Sequence, residues 1–167
     1  MEYIFIGKIV STHGIKGEIK IISEFDFKDK AFKPGNEIYF GKEKNKFIIS
    51  SYRRHKNYEM ITMEGYNNIN LVLPFIKDDV YILDSELNLD EDEYLDSSLL
   101  GLNIYNNDEL LGEITEVFSP SPNRKVIRFV KDGKNYLVPY VKSFVKLIDL
   151  SSKKMILYSM EGVLECE

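Results

Sequence analysis

Cysteine is almost missing from this 167-residue sequence; Cys166, one residue from the end, is the only one. No internal disulfide can form, and no Cys-x-x-Cys zinc site exists. A reducing compartment, the cytoplasm, is the expected location. Every long apolar run is broken by Lys, Glu or Asp, which excludes a spanning helix and predicts no membrane partner. The start, Met1-Glu2-Tyr3-Ile4-Phe5, lacks the basic flank and small-residue cleavage site of a signal peptide. Ala31 is the single alanine, so the best helix former is lacking too. What replaces it is branched and aromatic: 19 Ile, 10 Val, 10 Phe and 11 Tyr. Such side chains suit a half-buried pleated sheet.

Histidine is also scarce, and this limits catalysis. Only His13 and His55 occur, neither beside a Gly-x-Ser-x-Gly elbow. With Cys166 they show no metal-ligand spacing, so no metal or cofactor is expected. There is no phosphate-binding Walker loop and no dinucleotide fingerprint. The acidic pairs Asp78-Asp79 and Asp92-Glu93 read as solvated faces rather than as a general acid and base. An enzyme is not expected.

The formal net charge is −5, which argues against a generic nucleic-acid coat but allows a local basic face. Residues 1–84 carry 13 basic and 12 acidic groups, net +1, while residues 85–167 carry 9 and 15, net −6. Within the first part, residues 1–56 are net +5. The change falls on Asp84–Glu93, a run with six acids and no Lys or Arg. It breaks the strand pattern on both sides and reads as a linker, or else as an acidic loop inside one domain.

The strand pattern predicts a mainly all-β chain of two tandem small β-barrels: residues 1–84, an acidic linker 85–93, and residues 94–167. In the first block, Tyr3–Val10 is an apolar strand and Ser11–Gly14 a turn. Ile15–Ile21 then alternates, with Ile15, Ile19 and Ile21 on one face. Strands follow at Glu37–Phe40, Lys46–Tyr52, Glu59–Met63 and Val80–Leu83, with a short helix over Asn67–Phe75 capped by Asn67 or Asn68. The second block predicts strands at Leu102–Tyr105, Leu111–Phe118, Val126–Val130, Tyr136–Val138, Val145–Asp149 and Met155–Tyr158. Asp132-Gly133 signals a hairpin, and Ser119-Pro120-Ser121-Pro122-Asn123 reads as a loop.

The densest candidate for function is Thr12-His13-Gly14-Ile15-Lys16-Gly17-Glu18. Gly14 and Gly17 permit a tight turn and close backbone approach. His13 and Lys16 beside them are candidates for phosphate contact. The plain alternative is a turn in which His13 packs and Lys16 is solvated. Arg53-Arg54-His55-Lys56 is a basic cluster, either a solvated hairpin tip or a second phosphate contact. Phe25 and Phe27 read as core or rim packing ahead of base stacking.

Gly7-Lys8-Ile9-Val10-Ser11-Thr12-His13-Gly14-Ile15-Lys16-Gly17-Glu18-Ile19-Lys20-Ile21 closely resembles the opening signature of the RimM family, bacterial factors for maturation of the small ribosomal subunit. Further pieces follow in family order: Phe32-Lys33-Pro34-Gly35, Glu64-Gly65-Tyr66, Glu93–Gly101, Leu111-Gly112-Glu113-Ile114 and Leu137-Val138-Pro139-Tyr140-Val141. The resemblance implies an amino-terminal translation-factor-like barrel and a carboxy-terminal PRC-type barrel. It also implies a non-enzymatic role. RimM-like proteins bind a ribosomal protein of the small-subunit head, of the S19 family, on immature particles. They assist folding and processing of the 3′ major domain of 16S rRNA and leave before translation.

The sequence departs from the family pattern at three places. The family often has a Tyr-Tyr pair at the start of the second domain, tied to ribosomal-protein binding; here Tyr94 is followed by Leu95. Ser119–Asn123 stands where relatives have a Gly-Ala or Gly-Ser loop. Pro74 interrupts the short helix, which lacks the family's acidic-Ala pairing. The expectation is thus a monomeric factor acting by binding, with Tyr94 and Leu95 facing the ribosomal protein. His13, Lys16, Arg53 and Arg54 are the candidate RNA or ribosome contacts. The rival reading is an RNA-binding module acting on mature ribosomes or tRNA.

Overall fold

A computed structural model describes residues 2–121, 123–159 and 163–166. The chain divides into two compact units, Met1–Glu91 and Asp92–Glu167. The division falls within the acidic run.

In the first unit six strands close into a barrel: β1 (Tyr3–His13), β2 (Glu18–Ile22), β3 (Glu37–Phe40), β4 (Asn45–His55), β5 (Tyr58–Met63) and β6 (Asp79–Leu83). The order around it is β1-β2-β5-β4-β3-β6, and every neighbouring pair is antiparallel. The period of two works as expected where it is clean. Ile19 and Ile21 of β2 are fully buried, and join Ile6, Ile9, Ile38, Phe40, Ile49, Ile61, Val80 and Ile82 in the core. Beside them Phe40 stacks on Phe47 at 4.6 Å between centroids, and Phe47 meets Phe75 at 4.9 Å. Exclusion of this apolar surface from water is the main force holding the barrel closed.

Ile15 does not follow Ile19 and Ile21. β1 continues through Ser11–His13, and the reversal comes later, over Gly14–Gly17, whose φ values of +66° and +87° sit at its two ends. Ile15 lies at the tip and is 75% exposed. The Ile69 N–H donates to its carbonyl at 2.9 Å, which ties the loop to helix α2 (Ile69–Val72). Asn68 caps that helix, its side chain accepting the Asn70 N–H at 2.8 Å. A 3-10 turn over Leu73–Phe75 follows, with Pro74 inside its first turn, where a missing N–H costs nothing. A short helix α1 (Lys28–Ala31), not foreseen from the sequence, precedes the buried Phe32.

The acidic run holds no strand, but it is packed. Asp84–Glu86 forms a 3-10 turn, Leu87 packs against the barrel core, and Glu86 accepts the Glu37 N–H at 3.3 Å. Lys30 donates to the Asn88 carbonyl at 3.0 Å and lies 3.5 Å from Asp90.

The second unit opens with helix α3 (Asp96–Leu99). Its strands are β7 (Asn103–Asn106), β8 (Glu109–Ser121), β9 (Arg124–Lys131), β10 (Lys134–Pro139), β11 (Val145–Asp149), β12 (Lys154–Leu157) and β13 (Leu164–Cys166). They form one sheet in the order β11-β12-β7-β8-β9-β10-β13, parallel between β12 and β7 and antiparallel between the other neighbours. Its core holds Leu99, Leu102, Ile104, Ile114, Ile127, Phe129, Val138, Met155 and Leu157. Asp132 and Gly133 both take positive φ, as a two-residue primed turn requires. The expected Pro-rich loop is mostly strand. β8 runs to Ser121, which pairs with Arg124, and the register slips between Phe118 and Ser121. Pro120 sits in that slip, where no ladder bond needs its nitrogen; Pro122 lies outside the described residues.

Candidate functional site

The two sequence candidates of the first unit meet on one face of the barrel. Residues directly opposite in an antiparallel pair share a face, and so do alternate residues along a strand. His13 pairs with Glu18, Lys20 with Met60, Arg53 with Met60, and His55 with Tyr58. These residues therefore line one outer surface across β1, β2, β5 and β4. Met60 lies between Lys20 and Arg53 in register and is fully buried. The His13 and His55 rings lie side by side, 5.8 Å between centroids and tilted by 50°. The Lys20 ammonium lies 5.2 Å from the centre of the Tyr58 ring.

Arg53 belongs to this face but is already engaged. Its Nε donates to Oε2 of Glu18 at 2.9 Å and its Nη2 to Oε1 at 2.8 Å. That fork-on-carboxylate bond holds the Glu18 carboxyl below its ordinary range. Partial burial, and then the charges of Arg53, Lys56, His13 and Lys20, hold His55 below the usual imidazole value. Three fixed cations, Arg53, Lys56 and Lys20, thus act on His55 on a face whose acid is Glu18.

Arg54 points the other way. It pairs with Glu59 in register, its Nε 3.2 Å from Oε1 of a carboxylate that is wholly buried. The Tyr52 hydroxyl donates to the same oxygen at 2.9 Å. Burial, and then that acceptor, raise the Tyr52 phenol well above its ordinary value. Oε2 of Glu59 has no hydrogen-bond partner among the described residues. Arg54 thus neutralises a buried acid. The cluster read as a possible hairpin tip lies inside β4 as far as His55, with Lys56 in the turn after it. Lys16 is exposed on the Gly14–Gly17 loop.

The two glycines of that loop differ. A Cβ on Gly17 would stand 2.1 Å from the Tyr66 carbonyl oxygen, whereas one on Gly14 would meet nothing within 4 Å. Gly14 supplies only its positive φ; Gly17 supplies that and the close approach of two backbones.

Tyr94 is half-buried and packs against the core of the second unit, its hydroxyl 3.5 Å from the Ile148 carbonyl of β11. Leu95 is the residue from which α3 starts, and it offers that helix no side-chain cap. Phe25 packs against the barrel core and meets Phe27 edge-on at 5.8 Å, the rim packing expected for them.

Sequence reasoning missed two things. It did not connect His55 to His13, because the link depends on which strands pair. It also passed over an aromatic wall elsewhere on the barrel. There Phe5 meets Tyr81 at 6.0 Å, Tyr3 meets Tyr39 at 5.0 Å, and the Lys44 ammonium lies 4.0 Å from the Tyr81 centre. The alternation of aromatics along β1 was the available signal. Among the described residues no group of three or more His, Cys, Asp or Glu is placed to hold a metal ion, and no helix is long and apolar enough to cross a membrane.

Residues 4–87 match the family model of the RimM N-terminal domain, and residues 96–163 match that of the RimM PRC barrel domain. The chain belongs to the RimM family. It is 40% identical to ribosome maturation factor RimM of Ligilactobacillus salivarius, covering 98% of this chain and 99% of that one. It is equally identical to ribosome maturation factor RimM of Staphylococcus saprophyticus, covering 96% and 98%. Among solved structures, RimM of Pseudomonas aeruginosa is 24% identical with a TM-score of 0.47, covering 93% of this chain and 96% of that one. The closed barrel is the RimM N-terminal domain, and strands β7 to β12 of the second sheet lie in the RimM PRC barrel domain. These curated relatives are named as maturation factors, not as enzymes.

Proposed function

We propose that this chain is a non-enzymatic assembly factor for the small ribosomal subunit. It acts in the cytoplasm as a monomer and needs no cofactor. It binds immature subunits through a head protein of the S19 family and assists 16S rRNA maturation. The observation that carries this reading is the near full-length identity to proteins named ribosome maturation factors. The basic face of the barrel suits an RNA backbone, with His13 and Lys16 exposed, Lys20 and His55 partly buried, and Arg53 braced by Glu18. The acidic second half suits a basic ribosomal protein, since opposite potentials speed and orient encounter. Tyr94 and Leu95, at the entrance to the second unit, are the proposed contacts to that protein.

Sedimentation of cell extract tests the assignment. Cofractionation with free small subunits and their precursors is the expected result. Cofractionation with polysomes would assign the chain instead to translating ribosomes. Pull-down with identification of partners by mass should return a head protein of the small subunit.

A further inference from the structure

We propose that His13 and His55 together form a phosphate site for the RNA backbone, loaded by uptake of a proton. The proposal rests on the ribosome-binding reading above and gives it a chemical mechanism. Three observations on one face carry it. First, the two imidazoles lie 5.8 Å apart between centroids and are tilted by 50°, close enough for one tetrahedral anion to reach both rings. Second, the cations nearest them are of two kinds. Arg53 is held by both oxygens of Glu18 and serves as scaffold. Lys56 has no ion pair among the described residues, and Lys20 is held only against the Tyr58 ring. Third, among the described residues Glu18 is the only acid facing the pair from β2, β4, β5 and the Lys56 turn, and Arg53 already takes both its oxygens. The face therefore carries more positive charge than its one acid balances.

A phosphodiester carries one fixed negative charge at neutral pH, and its arrival favours the imidazolium form of His55. In the free protein His55 is held below its ordinary value through partial burial and then through Arg53, Lys56, His13 and Lys20, so binding draws a proton from solvent. The bound imidazole value exceeds the free one. The stabilisation is therefore complete below the free value and is lost as pH rises through the bound value.

The test uses the full chain and a transcript of the 3′ major domain of 16S rRNA, titrated by fluorescence anisotropy at constant salt. Affinity should fall about tenfold between pH 6 and pH 8, the scale of one charge-assisted hydrogen bond. The H13Q and H55Q proteins should melt like the parent, bind more weakly near pH 6, and lose that pH dependence. In proton NMR the imidazole signals of His55 should titrate at higher pH when the transcript is present. A parent whose affinity does not change with pH, or an H55Q protein that keeps the full dependence, overturns the proposal. If inorganic phosphate alone gives the same imidazole shifts at micromolar concentration, the site belongs to free phosphate and not to RNA. Loss of transcript binding at both pH values, with small-subunit cofractionation intact, overturns the site and spares the assembly-factor reading. Loss of cofractionation in the parent overturns both.

Discussion

Arg53 and Glu18 sit 35 positions apart in the chain and meet in a two-pronged ion pair, at 2.9 and 2.8 Å, across the outer face of the barrel. Its neighbour Arg54 makes the opposite kind of bond, to the fully buried Glu59. Two consecutive arginines that look equivalent in the sequence thus have separate tasks, because strand alternation sends them to opposite faces.

For Arg54 the consequence is structural. Arg54→Ala leaves the Glu59 carboxylate buried with only the Tyr52 hydroxyl, and should cost about 2–4 kcal/mol of stability. Urea unfolding measures it. Glu59→Gln in the same background should restore most of the loss, because the uncompensated charge is gone. A melting curve unchanged in Arg54→Ala would contradict this role.

Glu18 gives a pH dependence of known sign. Its folded carboxyl titrates below the ordinary glutamate value, chiefly because Arg53 donates to it. Its contribution is present above the unfolded value and is lost as pH falls through the folded one. Between about pH 5 and pH 3 the parent should lose more stability than Glu18→Gln, which lacks the titrating group. Parallel acid titrations followed by circular dichroism should show the two curves converging.

The glycines of the signature loop should separate cleanly. Gly14→Ala should cost about 1 kcal/mol, the strain of positive φ alone. Gly17→Ala should cost several-fold more, since its Cβ would collide with the Tyr66 backbone. Gly14→Asn should be milder than Gly14→Ala, because asparagine tolerates the left-handed region. Thermal melts rank the three, and equal losses at Gly14 and Gly17 would argue against the close approach of the Tyr66 backbone.

Tyr94 combines packing with its proposed contact. Tyr94→Ala should lower stability by about 2 kcal/mol through lost packing against the second core, while Tyr94→Phe keeps most of it. Under the proposed function, Tyr94→Ala should also weaken binding to the purified S19-family protein about thirtyfold. Tyr94→Phe separates the two effects by calorimetric titration, since it keeps the ring. Leu95→Tyr should tighten binding or leave it unchanged; weaker binding would count against the interface.

Independent folding of the two units can be tested by truncation. Residues 1–91 should unfold cooperatively alone, and so should residues 92–167. Residues 1–84 should melt lower than 1–91, because they lose Leu87 from the core and the Glu86 bond to the Glu37 N–H, together about 1–2 kcal/mol. If neither unit gives a cooperative transition alone, the proposal that they are separate domains is wrong.

What the sequence determined by itself was local. The turn Phe32–Gly35 located the strand after it, Glu37–Phe40, which the structure reproduces residue for residue. Asn68 announced the helix it caps, Asp132-Gly133 announced its hairpin, and the signature from Gly7 to Ile21 announced the family. Each is legible because propensity, turn chemistry and motif act between residues a few positions apart. The tertiary structure alone decided where the reversal after β1 falls, and so that Ile15 is exposed. It also decided that β8 carries Pro120 across a register slip, and that the acidic run packs along the first barrel through Leu87. Above all it brought His13 to His55, 42 positions away. That meeting depends on β2 pairing with β5 and not with its neighbour in sequence, β3. Such a pairing is selected by burying the isoleucine core in a closed barrel, a cooperative property of the whole unit that no short segment encodes.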